Sequence, residues 1–326
     1  MDAHGHDPIQ HQLQQRRSQL VRAATSLESP PYLLELLAQV DAALGRIASG
    51  NYGLCETCGD PIETDRLMAD PLERFCIDHL TTAQQRAMEQ DLQLSAKIQA
   101  GLLPPAGLCH GVWATAYHFE AAGPVSGDYV DLVPCPNGSL FFAVGDVSGK
   151  GVAASMLMSH LSAMFRTLLP FDMPLQELLA RASRVFCEST LPSHYATLAC
   201  GLASPEGSIE ICNAGHVPPI LLGLRGARPV ETTGLPLGLF CQEEFGVKRF
   251  ELARGEALLL YTDGATEARN PEGEEYGSDR LSATASPLKG QPPSAVIQGC
   301  REDLRRFTAG STLRDDMTML LLRRED

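Results

Sequence analysis

From His11 to Ser49 the apolar residues Leu13, Leu20, Ala24 and Leu27, then Leu33, Leu37, Val40, Leu44 and Ile47, recur at helical spacing around the break Pro30-Pro31. The pattern predicts two amphipathic helices in an antiparallel hairpin, the second stopped by Gly50. Between Thr81 and Leu103 no glycine occurs before Gly101, and Met88, Leu92, Ser95, Ile98 and Leu102 form a sparse stripe ending at Pro104-Pro105. That segment predicts one helix of about six turns. So narrow a stripe suits a two-helix seam, and hence a homodimer formed through this linker helix, as well as it suits packing on the following domain.

From Val112 the texture changes to short apolar runs bounded by Gly, Pro or Asp: 113–118, 130–133, 140–144, 197–202, 209–212, 220–224, 257–261 and 317–322. These read as strands. Helical stretches at 152–169, 175–190 and 293–307 interrupt them, so an α+β domain of packed antiparallel sheets flanked by helices is expected. The domain organisation is then 1–80 (hairpin and finger), 81–105 (linker helix) and 106–326 (sheet domain).

With 326 residues, 44% hydrophobic and 20% charged, the chain is long enough for about two folded domains, and disorder or a fibrous rod is excluded. The apolar runs, such as Ala257 to Tyr261, are strand-sized, and the start MDAHGHDPIQ has no basic segment leading into an apolar stretch. No membrane association and a cytoplasmic location are therefore expected. The formal charge of -14, without a basic patch, argues against nucleic acid as a partner. Of ten cysteines, Cys109, Cys135, Cys187, Cys200, Cys212, Cys241 and Cys300 are scattered singly and read as reduced core thiols.

The other three cysteines lie with a histidine in the pattern Cys55-x-x-Cys58, a seventeen-residue spacer, Cys76-x-x-His79. Two such knuckles grip a tetrahedral zinc ion, and four protein ligands leave no open position, so one structural Zn²⁺ is expected. Residues 51–80 hold seven acidic side chains against two arginines, which disfavours DNA reading. The string GNYGLCETCGDPIETDRL followed by FCIDH, after a helical hairpin, resembles the zinc finger of DksA/TraR-type proteins over about residues 10–90. The hairpin is short and its tip, Glu28-Ser-Pro-Pro31, lacks the aspartate pair of those proteins, so contact with RNA polymerase is not implied.

Acidic residues mark the strand ends: Asp128 in SGDY, Asp146 in GDVSG, Asp263 in YTDG, and Asp315-Asp316 before Met-Thr. Strand ends of one sandwich can converge on one rim. Converging carboxylates repel strongly unless cations neutralise them, and all-oxygen donors select hard ions such as Mg²⁺ or Mn²⁺. The segment 145–151 fails as a nucleotide loop, because glycine follows Lys150 where Ser or Thr is required. It fails as a serine-hydrolase elbow as well, because Asp146 stands two before Ser148 where glycine belongs.

In order, GPVSGDYVD, FFAVGDVSGKGVAASML, YATLACGLASPEGSIEICNAGHVPPILL, GLPLGLF, LLLYTDGATEARNPEGEEYG and RDDMTMLLL resemble the motifs of the SpoIIE/RsbU branch of PPM metal-dependent serine/threonine phosphatases, over about residues 92–324. The resemblance implies a β-sandwich with helices outside and two Mn²⁺ or Mg²⁺ ions at one edge. It gives Asp146 as the bridging ligand, the Val147 backbone carbonyl as a further donor, and Asp128, Asp263 and Asp315 as completing the shells, with Asp316 in second place. Such an ion pair acidifies a shared water for in-line attack on phosphorus. Lys150 reads as a solvated loop lysine, and Asn213 and His216 as braces of a turn. The implied substrate is a phosphoserine or phosphothreonine on a STAS-type anti-anti-sigma protein, with the finger and linker helix as regulatory input. The competing class is a catalytically inactive zinc-finger interaction or transcription-regulatory protein.

Overall fold

The structure, a computed structural model, describes residues 7–25, 31–80, 82–191 and 193–325; Glu28 to Pro30 of the hairpin tip lie outside them. The chain divides into two compact units, Met1–Gln90 and Asp91–Asp326.

In the first unit α1 (Asp7–Thr25) packs on α2 (Pro31–Ala48), and α3 (Thr64–Ala69) belongs to the finger. Leu13, Val40 and Ala43 are fully buried in a cluster that continues into the finger through Tyr52, Cys55, Ile62, Leu67 and Cys76. Polar contacts tie the two parts further. The Tyr52 hydroxyl donates to the Pro71 carbonyl at 2.9 Å, and Arg46, in the last turn of α2, pairs with Glu56 and donates to the carbonyls of Leu72 and Glu73. A helical hairpin this small has little core of its own, so the finger supplies much of what α2 buries.

The helix α4 (Thr82–Ala100) spans the division. It ends at Ala100, three residues short of the predicted Leu103, and leaves Met88, Leu94 and Ile98 exposed.

The second unit runs β1 (Cys109–His110), β2 (Trp113–Glu120), β3 (Asp128–Pro134), β4 (Leu140–Val147), α5 (Gly151–Leu168), α6 (Leu175–Ser189), β5 (Ala196–Ala203), β6 (Ser208–Ala214), β7 (Ile220–Gly223) and β8 (Gly226–Pro229). It continues through β9 (Lys248–Glu251), β10 (Ala257–Tyr261), α7 (Asp263–Thr266), α8 (Ser278–Ala285), α9 (Pro293–Phe307) and β11 (Met317–Arg324). The strands form two antiparallel sheets, ordered β1-β2-β11-β10-β7-β8 and β3-β4-β5-β6-β9. The expected α+β sandwich is present. The short β1, β8 and β9 and the helices α7 and α8 carry too little apolar pattern to be read from sequence; β8 is exposed throughout.

Period-2 alternation explains why the strands read as continuous apolar runs. Along β4, Leu140, Phe142 and Val144 face the other sheet, while Phe141 and Ala143 face α5 and α6. Along β11, Leu320 and Leu322 point between the sheets, whereas Met319 and Leu321 meet α8 and α9. Each sheet is thus covered on both faces, and the charged Asp131 of β3 is buried there with Arg166 of α5 as its partner. By length and composition the segment Gly151–Phe171 could cross a membrane, but its Ala154, Met158, Leu161 and Phe165 are buried, the latter three against the five-stranded sheet.

Two of the seven scattered cysteines correct the sequence reading: Cys187 and Cys241 form a disulfide across 54 residues. The partners meet only because the segment after β8 folds back onto α6, which spacing does not reveal. Cys200, Cys212 and Cys300 are buried free thiols as expected, Cys135 is half-buried, and Cys109 is exposed.

Opposite Phe142 on β5 stands Gly201, where a Cβ would run into both the Phe142 ring and the Glu210 carbonyl oxygen. Changing Gly201→Ala is expected to destabilise the protein by about 2 kcal/mol, the usual cost of overpacking, read as a lower denaturant midpoint at unchanged slope.

Candidate active site

Two groups of functional side chains are present, one in each unit.

In the first, the ligand atoms of Cys55, Cys58, Cys76 and His79 all lie within 4.8 Å of one another. Gly53 and Gly59, with φ of +80° and +77°, allow the tight turns that bring Cys55 and Cys58 together, and the Gly59 N–H donates back to the Cys55 carbonyl at 2.9 Å. Cys58 Sγ and Cys76 Sγ are 3.8 Å apart. A tetrahedron with Zn–S bonds of about 2.3 Å has an edge of about 3.8 Å, so the donors fit that ion. His79 presents Nδ1, 3.2 Å from Cys76 Sγ.

In the second unit, Asp128 opens β3 and Asp146 lies near the end of β4, and the two are direct partners across the antiparallel ladder. Asp263 opens α7 after β10, and Asp315-Asp316 precede β11, so these come from the other sheet. The Asp128 carboxylate is buried. Its Oδ2 accepts from the hydroxyls of Thr262 at 2.9 Å and Thr318 at 2.6 Å, which cross from the six-stranded sheet. Thr262 and Thr318 are joined to each other, since the Thr318 N–H donates to Thr262 Oγ1 at 2.9 Å.

The electrostatics are those of uncompensated acids. Burial first, and then the charges of Asp263, Asp315 and Asp316, push the Asp146 carboxyl up to about 7. Asp128 is raised well above the usual carboxylate range by burial, with Asp146 adding to it, and Asp263 is raised by burial and by Asp315. Hard cations relieve this repulsion, and the donors are all oxygen, so the residues fit Mn²⁺ or Mg²⁺. Two glycines permit the crowding. A Cβ on Gly127 would press on the Val147 carbonyl oxygen and Asp146 Oδ1, and one on Gly264 would collide with the Asp316 carbonyl.

Asp315 and Asp316 differ in setting. Asp315 is half-exposed and pairs with the Lys150 ammonium at 2.8 Å. Asp316 accepts from the backbone N–H groups of Ala122 at 2.8 Å and Gly127 at 2.9 Å, and so ties down the loop leading to Asp128. Lys150 is a solvent-exposed loop lysine, as read from the sequence, with Asp315 as its ion-pair partner. His216 is buried; its Nε2 faces the Tyr261 carbonyl at 3.0 Å and its Nδ1 faces Thr197 Oγ1 at 2.8 Å, while its N–H donates to Asn213 Oδ1 at 2.8 Å. His216 and Asn213 thus brace a turn.

Sequence reading missed three supports. Thr262 and Thr318 stood inside the motifs but read as ordinary strand-end residues. Gln99 near the end of α4 is buried; its amide donates to the Ser126 carbonyl at 2.7 Å and accepts from the Ser126 N–H at 3.0 Å. Ser126 Oγ in turn accepts from the Asp128 N–H at 3.0 Å. A lone glutamine on a polar helix gives no signal of this.

Residues 136–325 match the family model of stage II sporulation protein E (SpoIIE). Residues 50–78 match that of the prokaryotic dksA/traR C4-type zinc finger, one residue short of His79, which stands where a four-cysteine finger has its last thiol. The chain is 27% identical over 263 residues to protein IcfG of Synechocystis sp., covering 72% of this chain but only 41% of IcfG. It is 25% identical over 248 residues to the phosphoserine phosphatase RsbU of Bacillus subtilis, covering 74% of this chain and 72% of that one. The crystal structure of the RsbU and RsbW domains of a Mycobacterium tuberculosis protein has a TM-score of 0.59 with this chain at 29% identity, covering 68% of this chain and 62% of that one.

Burial lowers the His216 imidazole from 6.5 to about 4, so the folded state keeps it neutral while the unfolded chain takes up a proton. Its contribution is present above pH 6.5 and is lost as pH falls toward 4, amounting to about 3 kcal/mol at full extent. His216→Gln should weaken the protein at pH 7 and flatten this acid-side loss, measured as the difference in stability between variant and parent from pH 7 to pH 4.

Proposed function

Since the chain belongs to the SpoIIE family, we propose that it is a metal-dependent protein serine/threonine phosphatase acting in the cytoplasm on a regulatory phosphoprotein, a STAS-type anti-anti-sigma factor. One observation carries the reading: Asp146 stands opposite Asp128 at the rim of the sandwich, in the field of Asp263, Asp315 and Asp316, with its carboxyl raised to about 7. So costly an arrangement is explained by cations it is built to hold. A pair of bound Mn²⁺ or Mg²⁺ ions supplies acidification of water and neutralisation of phosphoryl charge.

The chain's own residues do the rest. Asp146, the Val147 carbonyl, Asp128, Asp263 and Asp315 are the groups that would hold those ions, Asp146 standing at the centre of the set. Thr262 and Thr318 fix Asp128 Oδ2, which leaves Oδ1 as the oxygen for a cation. Asp316 takes the second place: its bonds to Ala122 and Gly127 make it a brace of the ligand loop. Lys150, paired with Asp315, offers a positive charge at the mouth for the incoming phosphate.

The finger, closed by Cys55, Cys58, Cys76 and His79 around a structural Zn²⁺, and the linker helix act as regulatory input. Support comes from Gln99, which joins α4 to the turn before Asp128. The exposed Met88, Leu94 and Ile98 of α4 support a homodimer formed through that helix. RsbU, named a phosphoserine phosphatase, is similar over most of its length, which favours a phosphoprotein over a small-molecule ester.

Purified protein is expected to hydrolyse p-nitrophenyl phosphate only with Mn²⁺ or Mg²⁺, and Asp146→Ala to lower turnover at least about 100-fold while the fold survives. Metal-independent turnover, or full activity in the variant, would sink the reading; no turnover with any cation would favour the inactive interaction protein. In the same assay Gln99→Leu, which removes both bonds to Ser126, should raise the Mn²⁺ concentration required about tenfold with little change in turnover at saturation.

A further inference from the structure

The disulfide Cys187–Cys241 has no part in the chemistry above, yet it lies at one end of a short train of contacts leading to Asp146. Cys187 sits in the last turn of α6 and is half-buried, whereas Cys241 is exposed, so the bond is open to solvent reductants. Cys241 belongs to the segment 234–246, which folds back over α6 and the start of β5. There the Gly238 N–H donates to Ser183 Oγ at 3.2 Å, and Gly238, with φ of +80°, lies so close to Phe186 that a Cβ would strike its ring. Gln176 Nε2 donates to the Phe245 carbonyl at 3.1 Å.

The next link is backbone. Leu237 and Ala196 exchange both hydrogen bonds, at 2.8 and 2.9 Å. Ala196 is flanked by Thr197, the cross-strand partner of Asp146, and by Tyr195, whose backbone exchanges bonds with Ser148 at 2.9 and 3.0 Å. From Cys241 to Asp146 the route is therefore four residues of chain, one bridge and one ladder pair. Outside the covalent link, the 239–240 stretch is loosely held: Leu239 and Phe240 are 42% and 56% exposed, and the Leu239 N–H reaches the Pro236 carbonyl only at 3.4 Å.

We propose that Cys187–Cys241 is a redox-responsive clasp on the phosphatase, closed in the disulfide form and opened by a dithiol reductant, with lower turnover when open. The regulatory effect rests on the phosphatase reading given above. In the closed form the clasp keeps 234–246 on α6 and so holds Ala196 and Thr197 in register beside Asp146. Opening proceeds by thiol–disulfide exchange: one thiolate of the dithiol attacks a sulfur and the Cys187–Cys241 bond breaks. The second thiol of the reductant then resolves the mixed disulfide. Two electrons pass from the dithiol, which leaves as its own disulfide, and two protons end on Cys187 and Cys241.

The test uses the full chain with Mn²⁺, oxidised or treated with dithiothreitol, beside Cys187→Ser and Cys241→Ser. Turnover of p-nitrophenyl phosphate and hydrogen exchange across 234–246 are both read. Reduction should lower parent turnover about threefold or more, reversibly on reoxidation, and speed exchange at Leu237. Both serine variants should show the reduced behaviour from the outset and ignore the reductant. Identical turnover and exchange in the two redox states would make the bond an incidental cross-link and overturn the proposal. So would a dithiol response that persists in the serine variants, which would point to the finger cysteines. If the oxidised parent hydrolyses nothing, the phosphatase reading fails by itself, and exchange at Leu237 then decides whether the clasp exists.

Discussion

Everything in the sheet domain is arranged around mutual repulsion among carboxylates at one rim of the sandwich. Asp128 and Asp146 are neighbours on adjacent strands, and Asp263 and Asp315 arrive from the opposite sheet. Left to themselves, such groups would separate or stay protonated. They are kept in place by polar supports of unusual density: two threonine hydroxyls on Asp128, two backbone amides on Asp316, and an ammonium on Asp315. The apolar layers below supply the rigidity those supports require, because Phe142 over Gly201 and the interdigitated Leu258, Leu260, Leu320 and Leu322 fix one sheet against the other.

The same logic applies on a smaller scale in the first unit. Cys55 and Cys76 are at once buried core residues and donors, so the cluster that packs α1 on α2 is continuous with the ligand set. Binding energy at such a site is folding energy, which is how a unit with so few apolar side chains can hold together. Arg46 adds to this by linking the helix end to the finger carbonyls.

How far the sequence was legible follows from the range of the forces involved. Two-sided burial of strands and one-sided burial of helices leave local periodic signatures, so β10, α5 and α9 could be read nearly to the residue, while β4 was read three residues short of its end at Val147. Donor spacing in the finger is local too. Asp128, Asp146 and Asp263 stood out because each sits beside glycine at a strand end, whereas Asp315 and Asp316 have no such neighbour and nothing local distinguishes one from the other; only the amides of Ala122 and Gly127, nearly two hundred residues away in the chain, make that distinction. Gln99, Thr262 and the Cys187–Cys241 pair were invisible for the same reason. Their roles are set by what tertiary folding brings to them, and their own neighbours in sequence are unremarkable.

Because Thr262 and Thr318 reach from one sheet to a carboxylate rooted in the other, the rim doubles as a gauge of how the two leaves are aligned. Hydroxyl contacts of this length are lost with a slip of about one ångström, far less than is needed to disturb the oily layer between the leaves. Catalytic competence and gross foldedness are therefore separable properties of this domain. A ligand or partner that merely nudges one leaf along the other has a mechanical handle on the chemistry without having to unfold anything.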